Sequence, residues 1–240
     1  MKVRSQTGRS FFRSLLLCVA VVGVVRPLGA QAIRPVIAEY NEKARGRFDV
    51  VNDSLIPLNV VLEAKSFTVI EDGSPAFRAL DANIHLKLSQ KSFRIPPKQA
   101  YYVFYEATAD KYPAWFVIYA EFSGLPQQSG LNVQVELPHT VYLGQKLALA
   151  KDDVQVTKAE FLPGSHQVQI DIRNIGDRLG RVSGVEVRGE REKATHPGFP
   201  LMPRSQRKII VDWKLGTPPQ RAVVEFKNFK VETPLQERRN

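Results

Sequence analysis

The stretch Phe93-Arg94-Ile95-Pro96-Pro97-Lys98-Gln99 recurs later in the chain as Phe199-Pro200-Leu201-Met202-Pro203-Arg204-Ser205. Both copies of this proline motif place a phenylalanine, an aliphatic residue, a proline and a basic residue at the same spacing. Each copy leads into an apolar stretch, which covers 101–105 in the first half and 209–213 in the second. This repetition predicts two domains of related design.

A second repeated feature lies upstream of each proline motif. A strand-like segment ends at Asn52 in the first half and at Asn174 in the second, and another apolar segment follows each of them. Asparagine suits the end of a strand because it tolerates left-handed backbone conformations and bonds its own backbone. The interval from this asparagine to the proline motif is shorter in the second half. We therefore expect the second domain to be a trimmed version of the first.

The spacing of apolar residues predicts an all-β protein. Apolar and polar residues alternate with period two, and Pro, Gly, Asn and Asp interrupt the pattern at short intervals. Many short strands with regular turn signals are typical of β-sandwiches. We predict a domain over 33–146 and a smaller one over 147–240. The predicted strands are 47–52, 58–65, 84–89, 101–107, 115–122, 131–137, 154–161, 167–173, 181–187, 207–213 and 222–226.

Residues 1–32 have the pattern of a secretory signal peptide. Several basic residues precede an uncharged run over 15–25, which is too short to span a bilayer. The segment 30–32, Ala-Gln-Ala, then has the small residues of a signal peptidase site. We predict that this segment is cleaved on export to a bacterial periplasm and that no membrane span remains. An uncleaved membrane anchor is the alternative.

Charge and cysteine content limit the function classes. The chain has 34 basic and 24 acidic residues, and five of the basic residues but no acidic one lie in 1–32. The remaining chain therefore carries 29 basic and 24 acidic residues without a dense basic stripe, so we expect no nucleic-acid binding. The only cysteine, Cys18, lies in the predicted signal, so both domains must be stable without disulfides.

The sequence contains no pattern that indicates catalysis. The histidines at 85, 139, 166 and 196 have no metal-ligand spacing. A glycine-rich phosphate loop, a Gly-x-Ser-x-Gly elbow and a cysteine nucleophile are also lacking. We therefore expect no enzyme activity, catalytic residue, metal or cofactor. The aromatic segment 101–105 is interpreted as the core and rim of a sheet, with a ligand-binding platform as the alternative.

The segment 131–137 has the pattern of a half-buried strand. Leu131, Val133, Val135 and Leu137 form one face, and three polar residues form the other. The segment lies late in the first predicted domain, just before the break between domains. If this strand lies at a sheet edge, its backbone and aliphatic row are suited to pairing with an incoming chain. The alternative is that the row faces only its own core.

In order and spacing, these motifs resemble the periplasmic pilus chaperones of the chaperone–usher pathway. The resemblance covers about 33–235. Segment 48–57 is similar to the family's second strand and its Asn-containing turn, and 92–99 resembles the Pro-rich segment before the fourth strand. Segment 113–116 lies where the penultimate strand begins, and 201–206 is similar to the corresponding second-domain segment. The resemblance implies two immunoglobulin-like β-sandwich domains in tandem.

The resemblance also implies a function. In the family, the last strand of the first domain lends alternating aliphatic side chains to an incomplete sandwich in an exported pilin-like subunit, and an outer-membrane usher is a further partner. Leu131, Val133, Val135 and Leu137 occupy the matching positions. We therefore expect a periplasmic chaperone-like protein that binds β-rich subunits by donor-strand addition. A structural or adhesive envelope protein with spacer domains is the alternative.

The family holds the terminal carboxylate of its subunit with an arginine on the first strand and a lysine near the end of the donor strand. Arg34 is the nearest candidate for the arginine. Matching Tyr142 to the family's tyrosine places His139 at the lysine position, and Lys146 lies farther along the chain. Since histidine at its usual pKa is mostly neutral at pH 7, the expected carboxylate anchor departs from the family pattern.

Overall fold

A computed structural model describes residues 31–124, 135–214 and 216–237. The predicted signal segment lies outside these ranges except for its last two residues. Within them the chain forms eighteen β-strands and two short 3-10 helices, Lys151–Asp153 and Pro163–Ser165, and no α-helix. Ten strands precede the first of these helices. They are β1 (Ala32–Arg34), β2 (Ile37–Asn41), β3 (Ala44–Asn52), β4 (Leu58–Val69), β5 (Pro75–Ala79), β6 (Ile84–Leu88), β7 (Ser92–Ile95), β8 (Gln99–Ala109), β9 (Ala114–Ser123) and β10 (Val135–Gly144).

The remaining eight strands follow it. They are β11 (Val154–Leu162), β12 (Gln167–Asn174), β13 (Gly180–Arg188), β14 (Lys193–Leu201), β15 (Gln206–Asp212), β16 (Arg221–Phe226), β17 (Lys230–Pro234) and β18 (Gln236–Glu237). Each half of the chain forms two sheets of its own. The first half has the orders β1-β3-β8-β6 and β2-β10-β9-β4-β5, with β7 also pairing with β4. The second half has β15-β12-β11-β18 and β14-β13-β16-β17.

Each pair of sheets encloses a separate hydrophobic core. Fully buried residues of the first core include Phe48, Phe116 and Phe122, and those of the second include Ile170 and Trp213. The alternation of apolar residues along the strands explains this arrangement, because every second side chain points into the sandwich. The fold is therefore two immunoglobulin-like sandwiches in tandem, as predicted. The boundary between 146 and 147 stays a prediction.

The eleven predicted strands correspond to β3, β4, β6, β8–β13, β15 and β16. The strands that were missed are β14, which has nine residues, and six strands of at most five residues, β1, β2, β5, β7, β17 and β18. The strand predicted over 131–137 differs most. Among the described residues it begins at Val135 and continues to Gly144, well past its predicted end. The strand accommodates Pro138 because proline is tolerated where its missing N–H faces an unpaired edge. Residues 131–134 lie outside the described residues.

Asn52 ties the first proline motif to the end of β3. Its side chain is fully buried. Nδ2 donates to the carbonyl oxygens of Ile56, Ile95 and Pro96 at 2.8, 3.1 and 3.1 Å, and Oδ1 accepts the backbone N–H of Ser54 at 3.0 Å. Buried carbonyl groups need such partners because leaving them unpaired is costly. One carboxamide therefore joins a strand end, a turn and the proline motif.

Asn174 makes the same connection in the second sandwich. It is also fully buried. Its Nδ2 donates to the backbone carbonyl oxygens of Arg178, Leu201 and Met202 at 2.7, 3.5 and 3.0 Å. Leu201 and Met202 occupy the places of Ile95 and Pro96 in the repeated motif. Gly176 donates its backbone N–H to Oδ1 at 3.0 Å. The sequence repeat therefore corresponds to one hydrogen-bonded unit that is built twice.

The basic residue of each proline motif completes this unit. Lys98 and Arg204 both have left-handed backbones, with φ of 60° and 53°. Each bonds the aspartate that follows the asparagine strand, Lys98 to Asp53 at 2.6 Å and Arg204 to Asp177 at 2.8 Å. These pairs are exposed, and exposed ion pairs contribute little to stability. The buried asparagines are therefore the main source of stability in the unit.

We expect Asn174→Ala to lower the free energy of unfolding of the C-terminal sandwich by about 3 kcal/mol, because buried carbonyl groups lose their donor. The protein has two tryptophans, Trp115 and Trp213, one in each sandwich. Urea denaturation followed by Trp213 fluorescence in a Trp115→Phe background measures the change. Gln155→Ala, at an exposed position of β11 in the same sandwich, is the control and should change stability by less than about 0.5 kcal/mol. Equal effects of the two variants would contradict the assignment.

Candidate functional site

Strand β10 has an outer edge that is only half covered. Along Val135–Leu143 it pairs with β9, so its inner side is complete. On its outer side β2 pairs with it in parallel, but only from Thr140 to Gly144. Among the described parts of the chain, no strand pairs with the outer side of 135–139. These five residues therefore form an open sheet edge.

The direction of the backbone groups on this edge follows from the neighbouring ladder. The Thr140 N–H donates to the Val36 carbonyl at 2.7 Å and so points outward. Because alternate residues of a strand point their backbone groups to the same side, Glu136 and Pro138 also point outward. The edge thus offers the Glu136 N–H and the carbonyl groups of Glu136 and Pro138. Proline has no N–H, so the row of donors is interrupted at Pro138.

Two of the four predicted binding residues lie on the described part of β10. Val135 and Leu137 are half-buried and pack against the first core. Leu131 and Val133 lie outside the described residues. The row was expected to face a cleft between the domains if the protein is a chaperone. Val135 and Leu137 do not line that cleft, which contains the opposite end of β10.

His139 is fully buried in the first core, one residue before the ladder with β2 begins. Its ring stacks on Phe48 with centroids 4.6 Å apart. Nδ1 lies 2.7 Å from the Pro35 carbonyl oxygen, and Nε2 lies 3.0 Å from the Tyr105 hydroxyl. The Tyr105 hydroxyl in turn lies 2.9 Å from that of Tyr40. The imidazole is thus enclosed and bonded at both nitrogens.

The hydrogen bonds define the protonation state of His139. A carbonyl oxygen only accepts, so Nδ1 carries a proton and donates to Pro35. Burial lowers the pKa of His139, although the bond to Pro35 acts in the opposite direction. The ring is therefore neutral near pH 7, and Nε2 accepts the proton of the Tyr105 hydroxyl. A buried neutral ring with both nitrogens bonded does not hold a carboxylate, and we exclude His139 from the carboxylate site.

The other two predicted anchors lie apart from each other. Arg34 is exposed on β1, directly opposite Asp49 on β3, and it does not line the inter-domain cleft. Lys146 does line the cleft, and its side chain is 81% exposed. Its Nζ lies 3.9 Å from a Glu42 carboxylate oxygen. The structure therefore does not bring Arg34, His139 and Lys146 together as one site.

The cleft between the two sandwiches has a volume of about 470 Å³. The end of β10, the beginning of β13 and the turn after β16 line this cleft. Arg181 projects into it from β13, forms an ion pair with Glu39 and lies 5.4 Å from the centre of the Tyr142 ring. Lys227 lies on its far side. The cleft thus combines basic side chains with aromatic surface.

A small hydrophobic cluster fixes the two sandwiches against each other. Met202 of the second proline motif is buried among Phe67, Val117 and Tyr142 of the first sandwich. The Lys208 N–H also donates to the Glu71 carbonyl at 2.7 Å, which links β15 to the turn between β4 and β5. Sequence reasoning missed this contact surface. Its one visible signal is that Met202 replaces a proline of the first motif.

Arg207 is the most unusual residue of this joint. It is only 8% exposed, its guanidinium lies against Gly73 of the β4–β5 turn, and it lies 4.9 Å from the Phe199 ring centre. Its buried Nε has no hydrogen-bond partner within the described residues. Burial lowers the pKa of Arg207, partly offset by the carboxylate of Asp72. The guanidinium therefore acts mainly as a flat packing surface between the domains.

Comparison with solved structures finds this two-domain fold among pilus chaperones. The Salmonella enterica SafA pilin in complex with the SafB chaperone matches with a TM-score of 0.54 and 10% identity, covering 88% of this chain and 98% of that chain. The E. coli chaperone DraB gives 0.51 and 13%, covering 87% and 98%. The class 5 fimbriae chaperone CfaA gives 0.50 and 10%, covering 86% and 99%. The predicted resemblance to pilus chaperones is thus confirmed for the fold.

Sequence comparison adds no relative. No protein-family model matches the chain, and no curated protein matches it significantly. Within the described ranges, no cluster of three or more histidine, cysteine or acidic side chains is arranged to hold a metal. No helix of those ranges is long and apolar enough to cross a membrane.

The environment of His139 predicts a pH dependence of stability. Its pKa is lowered in the folded state, so the unfolded chain binds more protons once the pH falls below about 6.5. The free energy of unfolding should therefore be highest above pH 6.5. It should decrease as the pH falls toward the folded-state pKa, by at most about 1.4 kcal/mol per pH unit. Urea denaturation between pH 7.5 and 5 measures this slope.

His139→Phe keeps the stack on Phe48 and should remove that slope. His166→Asn, at an exposed histidine with a left-handed backbone, is the control and should retain it. A slope that survives in His139→Phe would show that another group is responsible.

The joint around Arg207 predicts a second effect on stability. Gly73→Ala adds a methyl group at a φ of 99° and places it in the Arg207 guanidinium. Gly124→Ala is a matched control, because its φ is 90° and, among the described residues, its new methyl group would meet only the Pro57 carbonyl at 3.7 Å. Backbone strain alone costs about 1–2 kcal/mol. Gly73→Ala should therefore destabilise more than Gly124→Ala, and Arg207→Ala should abolish the difference when unfolding free energies are compared.

Proposed function

We propose that the protein is a non-enzymatic periplasmic chaperone that binds an exported, β-rich, pilin-like subunit by adding β10 to it. The observation that carries the proposal is the open edge at 135–139 on a strand that is otherwise paired. An incoming strand that runs parallel to β10 meets the outward N–H and carbonyl of Glu136. Main-chain hydrogen bonds of this kind provide affinity in strand addition.

The aliphatic row supplies the second part of the interaction. Val135 and Leu137 are half-buried, so apolar surface remains on them for a partner to cover. Together with Leu131 and Val133, which lie outside the described residues, they form the proposed binding row. Burying a fully exposed aliphatic side chain contributes about 1.5–3 kcal/mol, and the half-buried Val135 and Leu137 contribute correspondingly less. Association and ordering costs reduce this gain, which gives a stable but exchangeable complex.

The cleft is proposed to receive the end of the bound subunit. Lys146 is the predicted anchor that lies there, with Arg181 and Lys227 nearby. A terminal carboxylate in this cleft is stabilised by a permanent cation, which lysine provides and the neutral His139 does not. Arg34 has no part in this site because it lies outside the cleft.

Location and partners follow from the same proposal. The predicted signal over 1–32 directs the chain to the periplasm. Exported subunits pass through this compartment before they are assembled. An outer-membrane usher is the partner that would accept the subunit from the chaperone. The fold similarity to pilus chaperones and to a pilin–chaperone complex supports this assignment.

The proposal is tested by removing the outward backbone donor. Glu136→Pro deletes an N–H that faces the open edge, whereas Glu136→Ala keeps it and serves as the matched control. The tagged variants and the wild type are used for pull-downs from periplasmic extract, with bound proteins identified by mass spectrometry. We expect wild type and Glu136→Ala to retain a secreted β-rich subunit, and Glu136→Pro to lose at least about tenfold of it.

Val133→Asp and Val135→Asp test the aliphatic row in the same experiment. Both should reduce retention because a carboxylate replaces a side chain that becomes buried. Circular dichroism checks that each variant is folded. Strand addition is wrong if no secreted β-protein is retained by the wild type, or if the proline and aspartate variants retain it equally well.

A further inference from the structure

The open edge of β10 has a natural competitor within the chain itself. Strand β2 already pairs in parallel with β10, with Ile37 opposite Thr140. Continued in the same register, the preceding residues would place Val36 opposite His139 and Arg34 opposite Leu137. The Arg34 and Val36 N–H groups would then donate to the carbonyls of Glu136 and Pro138, and in the uncleaved chain the Glu136 N–H would also donate to the Ala32 carbonyl. Residues 33–36, which follow the predicted signal, therefore have the length and register to cover 136–139 of the edge.

In the structure these residues go elsewhere. Strand β1 pairs antiparallel with β3 in the opposite sheet, where Ala32 to Arg34 face Val51 to Asp49. Ile33 is buried in the core in this arrangement, with 6% exposure. The chain thus crosses from one sheet to the other between Arg34 and Ile37. This crossing leaves the edge at 135–139 open.

Two features of β10 stabilise the crossing. His139 donates Nδ1–H to the carbonyl of Pro35, which lies between β1 and β2, at 2.7 Å. The stack on Phe48 and the Tyr105 hydroxyl bond hold the imidazole in place. Pro138 lacks the N–H that would donate to Arg34 in an extended ladder, so one hydrogen bond of the competing pairing is missing. No charged side chain is among these hydrogen-bond and stacking partners of His139.

We propose that His139 is a positioning residue that keeps the N-terminal strand of the chain off the binding edge. Its bond to Pro35 holds β1 in the opposite sheet, and Pro138 weakens the alternative pairing. The chain thereby contains its own inhibitor, residues 33–36, which covers the edge when this bond is lost. The importance for subunit binding rests on the proposed function, but the competition between two strand pairings does not.

Amide hydrogen exchange on the isolated full chain, with residues 1–32 uncleaved so that the Ala32 carbonyl is present, tests the competition. In the wild type the Glu136 amide should exchange fast, and the amides of β1 should be protected. The double variant His139→Phe/Pro138→Ala removes the tether and restores the missing donor while keeping the aromatic stack. We expect protection of the Glu136 amide to rise at least about tenfold and that of the β1 amides to fall.

Tyr105→Phe is the matched control. It removes the bond to Nε2 but leaves the Nδ1 bond to Pro35, so the Glu136 amide should still exchange fast. If the double variant does not fold, Ile33→Ala shifts the same equilibrium by weakening the hold of β1 on the core, without any change at β10. It should likewise protect the Glu136 amide.

Two results would overturn the proposal. In one, β1 loses protection but the Glu136 amide stays fast, which means that β1 frays without covering the edge. In the other, neither site changes in the double variant or in Ile33→Ala. Because this experiment uses no subunit, its outcome is independent of the pull-down, and either proposal can fail while the other stands.

Discussion

The structure depends on a buried asparagine carboxamide at the end of one strand in each sandwich. Asn52 and Asn174 each bond three carbonyl oxygens that belong to a turn and to the proline motif. A bond of this kind fixes where one sheet ends and where the chain enters the opposite sheet. This constraint explains why the two domains share a motif although the second is shorter.

The first sandwich differs from a closed one at β10. Its inner side is fully paired, while its outer side is covered only from Thr140 onward. His139 lies at this transition and bonds the carbonyl of Pro35, the residue at which the N-terminal strand changes sheets. The open edge is therefore a consequence of where β1 and β2 divide, and a neutral buried histidine stabilises that division. A histidine that was predicted to anchor a carboxylate is instead buried beside the open edge.

Some of these features could be predicted from the sequence, and others could not. The proline motifs, the two asparagines and the alternating strands were recognisable because each depends on local spacing. The strand was predicted over 131–137 from its alternating aliphatic residues, yet β10 continues through Pro138, which lies on an unpaired edge where its missing N–H has no cost. His139 was interpreted as an anchor from its place in the pattern, since burial leaves no trace in a single residue. Arg207 and Met202 were missed because the inter-domain contact joins segments that are far apart in the chain.

The sequence alone determined that this protein is all-β, that its architecture is repeated, and which strand carries the aliphatic row. These properties follow from periodicity and from residues with special backbone preferences, which act over a few positions. The tertiary structure decided which edge stays open, which basic residue lies in the cleft and which histidine is buried and neutral. Those properties depend on contacts between distant strands, where burial and the choice of pairing partner set both the charge state and the accessible surface.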